Sequence, residues 1–183
     1  MDGYWFSGDD NKPKHPLESG QPAAASLGVT HLCSTKLKPG ENGLHFATGL
    51  TSALHLGLFG PICWTVTLPD QYLMDTTLGP FYATWGSANQ RHYVTRKDFI
   101  EPLINALTTI MPSLDPANKF HVRAFHELDF AINYLGIGNR TMAWMYAHQA
   151  LMDCTASDTH RVSLGTEWGK IENALQAAWL AAP

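Results

Sequence analysis

Between Gly43 and Pro69 the chain reads GLHFATGLTSALHLGLFGPICWTVTLP, without one charged residue. A stretch this apolar has to be buried, and its two ends have the length and composition of strands. Leu44–Ala47 and Ile62–Leu68 are short, apolar and rich in β-branched or aromatic residues. The middle has helical spacing. Thr48 is placed to cap a first turn, Leu50, Ala53, Leu54 and Leu58 recur at intervals of three and four, and Gly60-Pro61 stops the run. At about ten residues this helix is half of the roughly twenty that a bilayer core demands. The expectation is a core strand–helix–strand unit, with no membrane as a partner.

The flanking residues extend a β-rich N-terminal half. Gly3–Phe6 (GYWF) reads as an opening strand, Ser7–Gly20 as a polar loop, and Gln21–Leu27 as a turn of alanine-rich helix. Val29–Thr35 alternates, with Val29, His31 and Cys33 on one side and Thr30, Leu32 and Ser34 on the other, as a half-buried strand does. Lys38–Gly43 has the composition of a turn and Asp70–Pro80 that of a connection. Phe81–Trp85 and His92–Thr95 flank Gly86-Ser87-Ala88-Asn89, which predicts a hairpin.

From Asp98 the period becomes helical. Asp98 and Glu101 fit a capping box, and Phe99, Leu103, Leu107 and Ile110 form one face ahead of Pro112. A second helix is expected from a cap at Asp115 to Gly136, with Phe125, Leu128, Ile132 and Leu135 as its seam. The third, Thr141–Cys154, lines up Ala143, Ala147, Ala150 and Cys154 as a stripe along which a second helix can approach closely. A fourth starts near Ser163 and carries Leu164, Trp168, Ile171, Leu175 and Ala178 on one face. The fold class is therefore α+β: a small β-rich half with one short helix, residues 1–95, and a C-terminal antiparallel bundle of about four helices, residues 96–183. The two halves are expected to share one core.

Charge excludes one class of partner. Residues 1–95 hold 5 Lys/Arg against 7 Asp/Glu and residues 96–183 hold 7 against 9, so neither half is the basic patch a nucleic-acid binder needs. Three widely spaced cysteines among 183 residues argue against a disulfide framework and for a reducing, cytoplasmic compartment. His31-x-Cys33 with His45 would suit zinc, but the spacing matches no four-ligand pattern, so no metal is expected. His126-Glu127 opens an H-E-x-x-H whose last position is Phe130. Phosphate-loop, dinucleotide and nucleophile-elbow signatures are absent, which leaves no catalytic residue to name.

The succession GYWFSG, the turn Leu37-Lys38-Pro39-Gly40, the strand Gly43-Leu44-His45-Phe46-Ala47, a small-residue helix and ICWTVTLP resembles two families over residues 3–69. One is a small phage and bacterial domain with a G-F-H-x-C-like segment. The other is the ADP-ribosyltransferase-like scaffold, in which a strand reading F-A-A precedes a helix that helps hold NAD. Those transferases grip NAD with a His or Arg on the first strand; this chain offers Tyr4, Trp5, Phe6 and Ser7. The first resemblance implies a phage- or mobile-element-encoded protein that is not an enzyme and binds a protein partner, blocking or tethering a host or virion assembly. The second implies an NAD-using enzyme as the alternative. Apart from that alternative no cofactor is expected. The partner surface is expected at the tip of the 81–93 hairpin, where Trp85 and Arg91 are residue types enriched at interface hot spots, with Asn89 and Gln90 at the rim.

Overall fold

The computed structural model describes residues 2–12, 24–33, 36–37, 43–56, 60–69, 72–74, 85–155 and 164–183, and the statements below concern these. The chain divides into two compact units, Met1–Lys97 and Asp98–Pro183. The fold class is α+β, with seven strands in one antiparallel sheet and five α-helices among the described residues.

In the first unit the strands are β1 (Asp2–Ser7), β2 (Thr30–Leu32) and β3 (Leu44–Ala47), then helix α1 (Leu50–Leu56), then β4 (Ile62–Thr67), β5 (Tyr72–Met74), β6 (Trp85–Ala88) and β7 (Gln90–Asp98). Their order in the sheet is β2-β7-β4-β1-β3-β6-β5. The uncharged stretch does form a strand–helix–strand unit, but its two strands do not touch. β1 lies between them, antiparallel to both, with Tyr4 opposite Ala47 on one side and Thr65 on the other. The opening GYWF segment is thus the centre of the sheet. Gly3 makes this possible, because a Cβ there would come within 3.1 Å of the Phe46 ring and 3.2 Å of the Ala47 carbonyl.

The sheet is rolled. Only Asn89 separates β6 from β7, yet three strands stand between them in the sheet order. Flat strands about 4.8 Å apart would hold them roughly 19 Å from each other, more than two residues of chain can span. The sheet therefore curves back, and one bent length of chain carries both β6 and β7. Phe46, Ile62, Trp64, Val66, Ala88 and Tyr93, from β3, β4, β6 and β7, pack into a single core cluster inside the roll.

Several expectations change here. Trp85–Ala88, taken for a turn and its flank, is a strand in its own right, and β6 does not pair with β7, so there is no hairpin between them. Pairing with β3 and β5 on either side decides this over local turn composition. Ala24–Leu27 is not helical, and Tyr72–Met74 of the supposed connection is a strand. The Ala53 amide donates to the Gly49 carbonyl, so the helix cap stands one residue past Thr48. Phe81–Thr84, Leu58 and Ser34-Thr35 lie outside the described residues.

The second unit contains α2 (Ile100–Ile110), α3 (Lys119–Gly136), α4 (Arg140–Cys154) and α5 (Leu164–Ala181). α2 packs chiefly on α5, burying Phe99, Leu103 and Leu107 with Ile171, Leu175 and Trp179, and α3 packs chiefly on α4. Asp98 Oδ1 accepts the Ile100 amide at 3.1 Å. The cap of α3 is Asn118 rather than Asp115, because Asp115 takes the Ala117 amide and makes a separate turn. The seam of α3 also differs from the expected one. His121, Ala124, Leu128 and Ala131 are buried while Phe125 and Ile132 are exposed. Opposite them Ala143, Ala147, Ala150 and Cys154 have no exposed surface. Small residues facing small residues bring the two helix backbones close, and that rotates the larger apolar side chains of α3 outward.

A carboxyl pair crosses this contact. Arg123 grips Asp153 with Nε at 2.6 Å and Nη2 at 2.5 Å, and Glu127 hydrogen-bonds to the same carboxylate. Burial, then the Asp153 hydrogen bond and charge, push the Glu127 carboxyl up to about 8. For Asp153 burial acts upward, but the hydrogen bonds from Arg123 and Glu127 outweigh it and hold the group low.

Two predictions follow from this packing. Gly60 has φ +152°, and a Cβ there would sit 2.5 Å from Gly8 Cα and 2.7 Å from the Ser7 carbonyl. Gly60→Ala should lose more than about 1 kcal/mol in denaturant unfolding, and an unchanged midpoint would contradict the close approach of these backbones. Glu127 keeps in the folded state a proton that the unfolded chain releases near 4.5. Folding then takes up a proton, so stability falls as pH rises from about 4.5 towards 8. Glu127→Gln should flatten that part of a melting-temperature profile, and profiles that stay parallel would show that Glu127 is ionised in the fold.

Candidate functional site

The four residues expected at an exposed tip are not there. Trp85 is 4% exposed and Arg91 1%, while Asn89 and Gln90 are half-buried in the bent strand. The pleat also separates the first two. Trp85, Ala47 and Tyr4 are opposed in turn across β6, β3 and β1 and share one face. Trp5 is on the other face, and the Arg91 guanidinium lies 4.1 Å over its ring. Trp85 and Arg91 therefore do not form one contact surface. Their burial is a result of sheet pairing, which a composition reading of Gly86–Asn89 does not contain.

What the sheet assembles instead is a polar centre around Arg91. β2 pairs with β7 so that His31 stands directly opposite Arg91. Within β7, Arg91 donates from Nε at 3.1 Å and Nη2 at 2.9 Å to the Tyr93 hydroxyl, and from Nη1 at 3.0 Å to the His45 carbonyl of β3. Tyr93 Oη lies 2.7 Å from His31 Nδ1. Aromatic rings enclose the group. Trp5 and Trp64 lie 5.8 Å and 5.1 Å from the Tyr93 ring, and His31 meets that ring edge-on at 4.7 Å.

The protonation pattern follows from these bonds. Burial raises the Tyr93 phenol, against the charge and hydrogen bonds of Arg91, so it is neutral at pH 7. Burial and then the Arg91 charge lower His31, so it is neutral too. The Tyr93 oxygen accepts two guanidinium N–H groups and gives its own proton to His31 Nδ1. Neutral imidazole then holds its hydrogen on Nε2, a buried atom that no group in the described residues accepts from. The centre thus contains one buried cation, no carboxylate bonded to it among the described residues, and a relay ending in an N–H.

His31, Cys33 and His45 do not form a metal set. His31 stands opposite Arg91, whereas the pleat puts the His45 side chain on the other face, with its ring 6.3 Å from that of Trp85. Among the described residues no group of three or more His, Cys, Asp or Glu converges. His31 and Tyr93, absent from the expected site, were detectable only through strand pairing.

The second unit offers a surface rather than a centre. Val122, Phe125 and Ile132 lie on one side of α3, with Phe125 39% and Ile132 45% exposed. Beyond the helix end Ile137 is 76% exposed, and Tyr134 and Tyr146 stack at 5.5 Å with Phe130 beside them.

Trp85→Ala should destabilise the first unit by about 3–5 kcal/mol, the cost of emptying a buried aromatic site. Gln90→Ala should cost less than about 1 kcal/mol. Equal melting of both variants and wild type would put Trp85 back on a free surface. Compared with protein-family models, with curated proteins and with solved structures, the chain matches none.

Proposed function

We propose that this chain is a non-enzymatic interaction protein that recognises a protein partner through its helical unit. The observation that carries the reading is the uncovered apolar side of α3, where Val122, Phe125 and Ile132 are exposed in helical register. A lone exposed apolar residue is ordinary, but several large ones on one side of a helix are better accounted for by a partner than by the fold. The charged neighbours Arg123 and Asp129 supply the polar rim that such surfaces carry.

Narrower parts of the proposal rest on less. A phage- or mobile-element-encoded factor that blocks or tethers a larger assembly is supported by the resemblance over residues 3–69. An antiparallel arrangement of α2–α5 is supported by their short connections, and a cytoplasmic setting by buried Cys33, Cys63 and Cys154, none joined by a disulfide. No helix among the described residues is long and apolar enough to cross a membrane. The NAD-using alternative draws on the same resemblance alone.

The test compares wild type with Phe125→Asp/Ile132→Asp as bait in a bacterial lysate, followed by binding measurements with the purified partner. The double variant should melt close to wild type, since both positions are exposed, and lose at least about tenfold in affinity. Retained affinity would remove α3 from the interface. Release of nicotinamide from NAD by wild-type protein would favour the enzyme instead.

A further inference from the structure

Among the described residues, Arg91 and His31 leave only donors unmet, while Asn89 Oδ1, buried two residues before Arg91, is an unmet neutral acceptor. Arg91 has five N–H groups and gives three to described residues, on two neutral acceptors, so among the described residues Nη1 and Nη2 each retain one. His31, 6% exposed, ends the relay with Nε2–H, for which no described residue is an acceptor. The guanidinium carries a full charge, and the two titratable groups next to it among the described residues, Tyr93 and His31, are both neutral. Among the described residues this buried cation has no counter-charge, a costly arrangement that its place 4.1 Å over the Trp5 ring offsets only in part. No described residue gives the centre an acceptor with a negative charge.

We propose that the inside of the rolled sheet beside Arg91 is a binding site for a small organic carboxylate, held by the N–H groups left on Arg91 and by His31 Nε2–H. A carboxylate matches the centre in three respects. It brings one charge for one cation, it accepts and never donates, and its two oxygens in a plane suit the planar fork of a guanidinium. Phosphate fits less well, because at neutral pH it brings on average more than one charge to a single arginine and also carries protons that neither Arg91 nor His31 Nε2–H can accept. The neighbouring rings of Trp5, Trp64 and Tyr93 favour an apolar or flat remainder on the ligand. The site is built from residues of the first unit alone and stands whether or not the α3 surface binds a partner.

The experiment uses the full chain and three probes, acetate, propionate and benzoate, with chloride and phosphate as controls at matched ionic strength. Melting temperature and Trp fluorescence are followed up to about 50 mM, well above the millimolar dissociation constant of a weak single-site ligand. At least one carboxylate should raise the melting temperature saturably and change the fluorescence, where chloride does neither. His31→Phe, which preserves the ring and removes the donor, should weaken that binding at least about tenfold, and Arg91→Met should abolish it. Should Arg91→Met fail to fold, nitrogen-15 NMR of wild type decides: the His31 Nε2–H resonance must shift on adding the carboxylate. No saturable response to any carboxylate, an equal response to all anions, tighter binding of phosphate, or unchanged binding by His31→Phe would each overturn the proposal.

Discussion

The first unit depends on one buried guanidinium. Arg91 bonds the β3 carbonyl of His45, stacks on Trp5 of β1, donates twice to Tyr93 within β7 and, through that hydroxyl, reaches His31 of β2. One side chain therefore ties together four strands, two of which have no direct ladder with β7. It also sets the proton positions around it, because a Tyr93 oxygen occupied by two guanidinium donors has only one direction left for its own hydrogen. A hydrophobic residue of similar size would fill the space, but it could not specify which strands meet there.

Backbone proximity makes room for that centre. Gly3 lets Phe46 occupy the interior, and Gly60 lets the start of β4 pass against Ser7 and Gly8 at distances no side chain would allow. Trp64 donates its indole N–H to the Ser7 hydroxyl at 3.1 Å, which fixes the paired ends of β1 and β4 in register. The bend at Asn89 closes the arrangement from the other side, since Asn89 also accepts the Cys33 amide at 2.7 Å and so anchors the end of β2.

The second unit is held by two kinds of contact. α2 and α5 meet through large side chains such as Phe99 and Trp179, whose ring centroids are 6.0 Å apart. α3 and α4 meet through alanines and through Asp153, whose carboxylate Arg123 holds with two hydrogen bonds. Close approach of small residues leaves little apolar area to bury, so the large apolar residues of α3 are left outside. The pairing with most contact along the helices is thus also the one that creates the exposed surface.

Local pattern was enough to identify most elements of this chain. The uncharged stretch announced strand, helix and strand, the alternation of His31 and Cys33 announced β2, and three- and four-residue spacing announced α2, α4 and α5. Those signals are carried by neighbouring residues, and a single sequence contains them. The candidate site was not legible in the same way. Trp85 and Arg91 looked like a tip because Gly86-Ser87-Ala88-Asn89 has turn composition, and only pairing with β3 and β5 made those residues a buried strand. The seam of α3 was misread by one side of a helix, because Ala124 and Ala131 give a weaker apolar signal than Phe125 and Ile132 yet permit the closer packing. His31, Tyr93 and Trp5 are separated by tens of residues, and no spacing rule relates them. The sequence by itself determined where strands and helices form; the tertiary structure decided that β1 enters between β3 and β4 and that the sheet rolls. The physical reason is that strand order and helix facing depend on which surfaces fit together across the fold, a property of pairs of distant residues rather than of any one stretch.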